Sequence, residues 1–354
     1  MRYSIKAIIL ILVLTLTGCV EEVAVVKEVE ITKSWSTQIA FDNLTKIKTN
    51  MLATDGHLFV YGPKFFSSID EVNQVSHAVT RLDYPGFFRL PISTNFFIEA
   101  EGKWLRFTSS KYPVHAESAA WIDLQALDPS FEGINFGSKY QIGAIDINTA
   151  GQCMVPIYTV SPGNNVTAYL FETTIKDDIK IEVSDTIKVS IPNSSAIPSE
   201  YVYCLKAFKD YFIISLDNST FKIYSNGEHK KIIDTSIFNV FLHGNTLYAL
   251  KQFNQIYISK NDGETWEFYE NFPDYLVLAN YFVLGDSLIA TRNSDIFSIK
   301  FNGNQYKIRP LLNDGLETNE ITSVSEFKDS IYVSTYSGLY FKGKSKFYEA
   351  KKAE

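Results

Sequence analysis

The feature that most constrains this chain is a unit that recurs through its second half, a polar turn followed by a short, strongly β-prone run. Four copies stand out: Asp210–Ser215, Asn245–Leu250, Asp286–Thr291 and Asp329–Ser334. Their starts lie about 35 to 43 residues apart, the length of a four-stranded blade. Asp55–Tyr61 and Asn95–Ala100 extend the series towards the N-terminus, and Gly151–Pro156 is a weaker copy. A single blade cannot bury both faces of its sheet, so such units must stack radially until the ring closes. The fold class expected is therefore all-β, a β-propeller of four-stranded antiparallel blades. Seven copies imply seven blades, with six or eight open because the intervals before Gly151 and Asp210 are long.

Further strands surround each turn. Gln255–Ile258 and Glu267–Tyr269 flank the hairpin turn at Ser259–Trp266, and Ile321–Ser325, Gly338–Phe341 and Lys346–Tyr348 complete the last unit. The N-terminal stretch near Ile39–Phe41 is available to complete the last blade. Tyr112–Lys139, with Pro113 and Pro129, and Ser184–Glu200, with Pro192 and Pro198, read as extended loops. Long loops in compact domains tend to carry function.

Composition agrees with strands and removes some partners. The chain holds 21 Tyr and 26 Phe against 3 Met, a β-favouring balance. After the first twenty residues only Arg81, Arg89, Arg106, Arg292 and Arg309 remain, and the formal charge of −7 becomes more negative once a leader carrying Arg2 and Lys6 is removed. An acidic, arginine-poor surface argues against nucleic acid, whose phosphates need clustered cations.

Residues 1–18 read as an export signal. Arg2 and Lys6 precede the apolar run Ala7–Leu14, too short to span a membrane as a helix, and Leu16-Thr17-Gly18-Cys19 follows. This resembles the bacterial lipobox, which implies cleavage before Cys19 and acylation of that residue, a palmitate-type anchor. Val20 in place of aspartate implies the outer membrane, and Glu21-Glu22 leaves either its periplasmic side or the cell surface open. Residues 19–34 then form a lipidated spacer and 35–354 the propeller.

Two resemblances fall on the repeat. Ser259, Asn261, Gly263, Thr265 and Trp266 resemble the Asp-box hairpin of sialidases and photosystem II assembly propellers, with Asn261 where aspartate is usual. There the box is a fold staple, with its tryptophan packed beneath the turn. Asn313–Val324 together with Ser334–Tyr340 resembles the sensor propeller repeats of two-component regulators.

For chemistry, Phe88-Arg89-Leu90-Pro91 resembles the sialidase Phe/Tyr-Arg-Ile-Pro motif, whose arginine grips a sugar carboxylate. That resemblance implies Arg89, with Arg292 or Arg309 as a partner and Tyr336 as nucleophile; guanidinium forks suit carboxylates. No aspartate acid accompanies them, although paired carboxylates can assemble from distant strands. His57, His77, His115, His229 and His243 are dispersed, so neither a metal nor a cofactor is expected. Cys153 and Cys204 fall in adjacent units and could form a disulfide in an oxidising periplasm, or remain buried thiols. Trp104, Trp121, Tyr112 and Tyr201 lie in or near the long insertions, where they serve either inter-blade packing or a sugar- or peptide-binding surface. The function expected is a non-catalytic binding or assembly module of the cell envelope for a protein or glycan partner. A sialidase-like hydrolase and a sensor ectodomain partner are the alternatives.

Overall fold

In a computed structural model, the described residues are 34–38, 50–54, 56–62, 65–77, 88–91, 96–109, 119–131, 133, 140–142, 144–159, 165–176, 180–192, 202–251, 255–276, 279–302, 305–316 and 320–351. The signal, Cys19 and Ile39–Phe41 lie outside them.

Six antiparallel sheets have four strands each. In chain order the first contains β2 (Asn50–Ala53), β3 (His57–Gly62), β4 (Phe65–Asp70) and β5 (Val75–His77), and the second β6 (Phe88–Pro91), β7 (Phe96–Glu101), β8 (Trp104–Ser109) and β9 (Ala120–Asp123). Later come β15 (Cys204–Ala207) to β18 (His229–Ile233) through β16 (Tyr211–Leu216) and β17 (Ser219–Tyr224). Next are β19 (Ile237–His243), β20 (Thr246–Lys251), β21 (Gln255–Ser259) and β22 (Glu267–Asn271), then β23 (Asn280–Leu284), β24 (Ser287–Arg292), β25 (Asp295–Asn302) and β26 (Gln305–Pro310). The last four-stranded sheet joins β27 (Ile321–Phe327), β28 (Ser330–Thr335) and β29 (Leu339–Gly343) to β1 (Ser36–Thr37). Every turn-plus-strand copy in the sequence supplies a strand flanked by its sheet's first and third members, except the Gly151 copy.

That copy corrects the expectation of seven four-stranded blades. The stretch Tyr140–Ile191 forms a five-stranded sheet of β10 (Tyr140–Ile142), β11 (Asp146–Ile147), β12 (Gln152–Thr159), β13 (Val166–Lys176) and β14 (Lys180–Ile191). Two short strands, β10 and β11, share the one edge of β12. The loop read at Ser184–Glu200 is corrected as well, since its first half belongs to β14 and pairs with β13. Within Tyr112–Lys139 lie β9 and a short helix α1 (Leu124–Leu127), whose cap Asp123 accepts from the Gln125 amide. Lys346–Tyr348, expected as strand, overlaps helix α2 (Lys344–Phe347).

Packing follows the period-2 rule of strands. In β16, Phe212 and Ile214 face the five-stranded sheet, whereas Tyr211 and Ile213 face the next sheet's Val240, Leu247 and Ala249. In β12, Met154 points one way and Cys153 and Val155 the other. Apolar layers of this kind also join β19–β22 to β23–β26, and that sheet to β27–β29. The ring closes where Tyr332 and Leu339 meet Met51, Leu58 and Val60 of the first sheet, and where Ser323 Oγ donates to Asn50 Oδ1 at 3.0 Å. Neighbouring first strands lie side by side, β2 and β23 each against β27, and β15 against β19. The first strand of each sheet is therefore the inner one, and the protein is a β-propeller.

Candidate functional site: the ring axis and its turns

Strand order decides what reaches the axis. The inner strands β2, β23 and β27 end at Ala53, Leu284 and Phe327, and their outgoing turns line an open pocket of about 700 Å³. Met51, Ala53, Val283 and Leu284 give it apolar walls, with Glu326, Lys328 and Lys344 on its rim. Lys344 Nζ pairs with Glu326 Oε1 at 2.5 Å, and this carboxylate holds the lysine above its ordinary value. Val283 is 47 % exposed, and Leu242 of the neighbouring blade is 49 % exposed. Their registers match, Val283 opposite Leu288 and Leu242 opposite Leu247, so two blades present open aliphatic side chains at one level of the inner edge. Phe238, on the same inner strand β19, is also exposed. Exposed apolar side chains gathered on one surface mark interaction sites more often than scattered ones do.

The residues of the hydrolase reading fall on three sheets. Arg89 lies on inner strand β6 opposite Glu99; its side chain lies outside the described set. Arg292 ends β24 and donates to the Tyr275 carbonyl at 2.8 Å, and Arg309 donates to the Tyr348 carbonyl at 2.7 Å. Both guanidinium groups thus engage backbone oxygens. Tyr336 is exposed in the β28–β29 turn. That turn and the Arg292 turn join second to third strands of adjacent sheets, the opposite end of the blades from the axial pocket.

The histidines are equally dispersed. His57 stacks on Phe59, His229 meets Phe221, and His243 Nε2 lies 2.9 Å from the Asp286 carbonyl. Among the described residues no three His, Cys, Asp or Glu side chains gather in a metal-holding group.

The Ser259–Trp266 turn is densely bonded. Asp262 and Gly263 have φ of 55° and 81°, the left-handed conformation that Gly and Asx residues tolerate best. Ser259 Oγ accepts from the Gly263 amide at 2.9 Å, and Asn261 Oδ1 accepts from the Thr265 amide at 3.0 Å. Asn261 Nδ2 donates to Thr265 Oγ1, and Trp266 Nε1 donates to the Gly263 carbonyl. The amide side chain thus provides the acceptor that an aspartate would.

Three polar residues escaped the reading of the sequence. Lys222 is 4 % exposed; its Nζ donates to Glu264 Oε1 at 2.6 Å and to the Asp262 carbonyl at 2.8 Å, above the Tyr211 ring. Tyr224 and Lys230 also donate to Glu264, and these bonds hold its carboxyl at about 2. The turn of one blade is thereby tied to the sheet before it. Asp146 accepts from the Ala207 amide of the next sheet, and burial pushes its carboxyl up. Lys342 is buried beside Trp35 and lies 3.6 Å from Glu349. The available signal for the lysines was phase: each interrupts a strand where alternation calls for an apolar side chain.

Of the two alternatives for the cysteines, the structure holds the buried thiols. Cys153 and Cys204 are both free and buried. Alternation sends Cys153 into the layer against β6–β9 and Cys204 into the layer against β19–β22, with a complete apolar layer between. Burial raises both thiols, Cys204 to about 11.

No family model matches the chain, and no curated protein does. Solved structures do. A streptogramin B lyase is 12 % identical with a TM-score of 0.53, over 85 % of this chain and 95 % of that one. The extracellular domain of BT4673 from B. thetaiotaomicron is 10 % identical at 0.54, over 87 % of this chain and 40 % of that one. PorZ, a bacterial surface component of the type-IX secretion system of Porphyromonas gingivalis, is 11 % identical at 0.52, over 90 % and 39 %. The likeness shows the propeller fold. No helix among the described residues is long and apolar enough to cross a membrane.

Proposed function

We propose that this protein is a non-catalytic binding module of the bacterial cell envelope, held to the outer membrane by lipid on Cys19, whose partner engages the ring axis. The five-stranded sheet then serves as the remaining blade of a seven-membered ring, and Ser259–Trp266 as an Asp-box staple. The observation that carries the reading is exposed Val283 in the wall of a 700 Å³ pocket, with Leu242 exposed at the matching register of the neighbouring blade. Concave, partly apolar sites with a few polar rim groups are the usual form of binding sites. The sensor variant of this reading draws on the Asn313–Tyr340 resemblance and on the shared fold with the BT4673 extracellular domain.

A photo-crosslinking residue at Leu242 or Val283 should form a discrete adduct in envelope fractions, while the same residue at Phe268, exposed on outer strand β22, should not. Adducts of equal yield at all three positions, or none at the axis, would overturn the axial site. Independently, Cys19→Ala should release the protein from membranes or block its processing. Unchanged membrane partition would remove the lipid anchor.

A further inference from the structure

The chain has four tryptophans, and they divide into two kinds. Trp35 is buried, and Trp266 is half-buried under its turn. Trp104 and Trp121 are instead 39 % and 51 % exposed, and they touch each other, with ring centroids 6.3 Å apart and planes at 85°. Tryptophan carries the largest apolar surface of any side chain, and a folded chain ordinarily covers most of it. Two exposed in mutual contact form an open patch.

The patch is built on strands. Trp104 faces Asp123 across β8 and β9, and Arg106 faces Trp121. Alternation puts these four on one sheet face, while Leu105, Phe107 and Ile122 point into the layer against the five-stranded sheet. Lys103 Nζ pairs with Asp123 at 2.8 Å and sits 5.1 Å from the Trp104 centroid, and the Arg106 guanidinium lies 5.3 Å from that of Trp121. Asp123 also caps α1 through the Gln125 amide. Each ring is therefore held by neighbours before any ligand arrives, which lowers the ordering cost of binding.

We propose that Trp104, Trp121, Lys103 and Asp123 form a subsite for an uncharged sugar ring of a glycan. Size is the first reason: two indoles cover far less than the roughly 800 Å² per partner of a stable protein interface. Chemistry is the second. An indole face is the negative side of an aromatic quadrupole, and it attracts the weakly positive C–H face of a pyranose. Charge is the third. Lys103 and Asp123 neutralise each other, so that pair adds no net charge and sets a donor beside an acceptor as sugar hydroxyls require, while the Arg106 guanidinium is already engaged with the Trp121 ring. This rim site lies on the second sheet and is independent of the axial reading.

The test is affinity electrophoresis of the full mature protein through native gels containing laminarin, dextran, galactomannan or xyloglucan, with polygalacturonate as the charged counterpart. At least one neutral polysaccharide should retard the wild type, and Trp104→Ala and Trp121→Ala should each weaken that retardation about tenfold or more, as truncated aromatic anchors do. Trp121→Phe should keep most of it, and Val283→Glu, which targets the axis, all of it. Matching thermal unfolding of variants and wild type guards against misfolding. No retardation by any neutral polymer, retardation by polygalacturonate alone, or equal retardation in both alanine variants would overturn the subsite.

Discussion

The β15–β18 and β19–β22 sheets and the five-stranded sheet meet the same demand in different ways. In the first pair, strands run four to seven residues, and Glu264 of one sheet is gripped by Lys222, Lys230 and Tyr224 of the other. In the five-stranded sheet, β13 and β14 run to 11 and 12 residues, and the inner edge of β12 is shared by two fragments. There the cross-sheet polar bonds include the half-buried Asp146 carboxylate, which accepts from the Ala207 amide, and Gln152 Nε2, which donates to the Ser225 carbonyl. Both solutions fill apolar layers on each face. The lesson is that radial packing constrains the layers between sheets far more than strand number or length within a sheet.

The largest test of that comparison removes a core ring from each region. Phe171→Ala and Phe212→Ala, both fully buried, should each cost about 4 kcal/mol by denaturant unfolding. If the layers are equivalent, both variants unfold in one transition. An early separate step for Phe171→Ala alone would mark the five-stranded sheet as a weakly coupled unit.

Lys222→Ala should come next, at about 2 kcal/mol, below the roughly 3–5 kcal/mol of a wholly buried pair because Glu264 keeps solvent contact. Its acid dependence has a definite sign. Glu264 is held at about 2 from an ordinary 4.5, so its contribution is complete above the ordinary value and is lost as pH falls through about 2. Glu264→Gln should therefore be less stable than wild type at neutral pH, with the gap narrowing in strong acid. A gap independent of pH would mean that the carboxylate's charge is immaterial.

Glycine substitution separates the regions more finely. At Gly151 (φ +86°) an added Cβ would lie 2.7 Å from the Thr173 carbonyl oxygen, whereas at Gly263 (φ +81°) the nearest atom is Ile213 Cδ1 at 3.3 Å. A side chain can yield where backbone cannot, so Gly151→Ala should cost about 2 kcal/mol and Gly263→Ala about 1 kcal/mol in thermal or denaturant melts. The smallest effect is on the thiols. Cys153 and Cys204 should resist a thiol reagent in the native protein, react on unfolding, and leave mobility unchanged on reduction. A mobility shift would indicate a bond between them.

How far the fold was legible depended on which strand was read. The second strands, such as Tyr211–Leu216 and Ser330–Thr335, are buried on both faces, so they stand out as apolar runs behind a turn. Strand β14 did not stand out, because much of it is exposed and its polar residues resemble a loop. Lys346–Tyr348 reads as the last strand, but Ser36–Thr37 already occupies the edge of β29, leaving the C-terminal segment free to wind into a helix. The Ser259–Trp266 turn was legible because its bonds join residues two to four apart. The patch at Trp104 and Trp121 was named only as a group of aromatics with two possible roles, since exposure depends on what packs above a strand.

By itself the sequence determined the local half of this protein: the repeat, the alternation within strands and the tight turns, all set by steric and hydrogen-bonding preferences among near neighbours. Only the tertiary structure decided which long-range partners meet. It made one sheet five-stranded, sent the two cysteines into separate layers, gave the last sheet its N-terminal strand, and left two tryptophans uncovered. Those outcomes follow from the closure of a ring, which couples residues hundreds of positions apart and leaves no trace in any short stretch of chain.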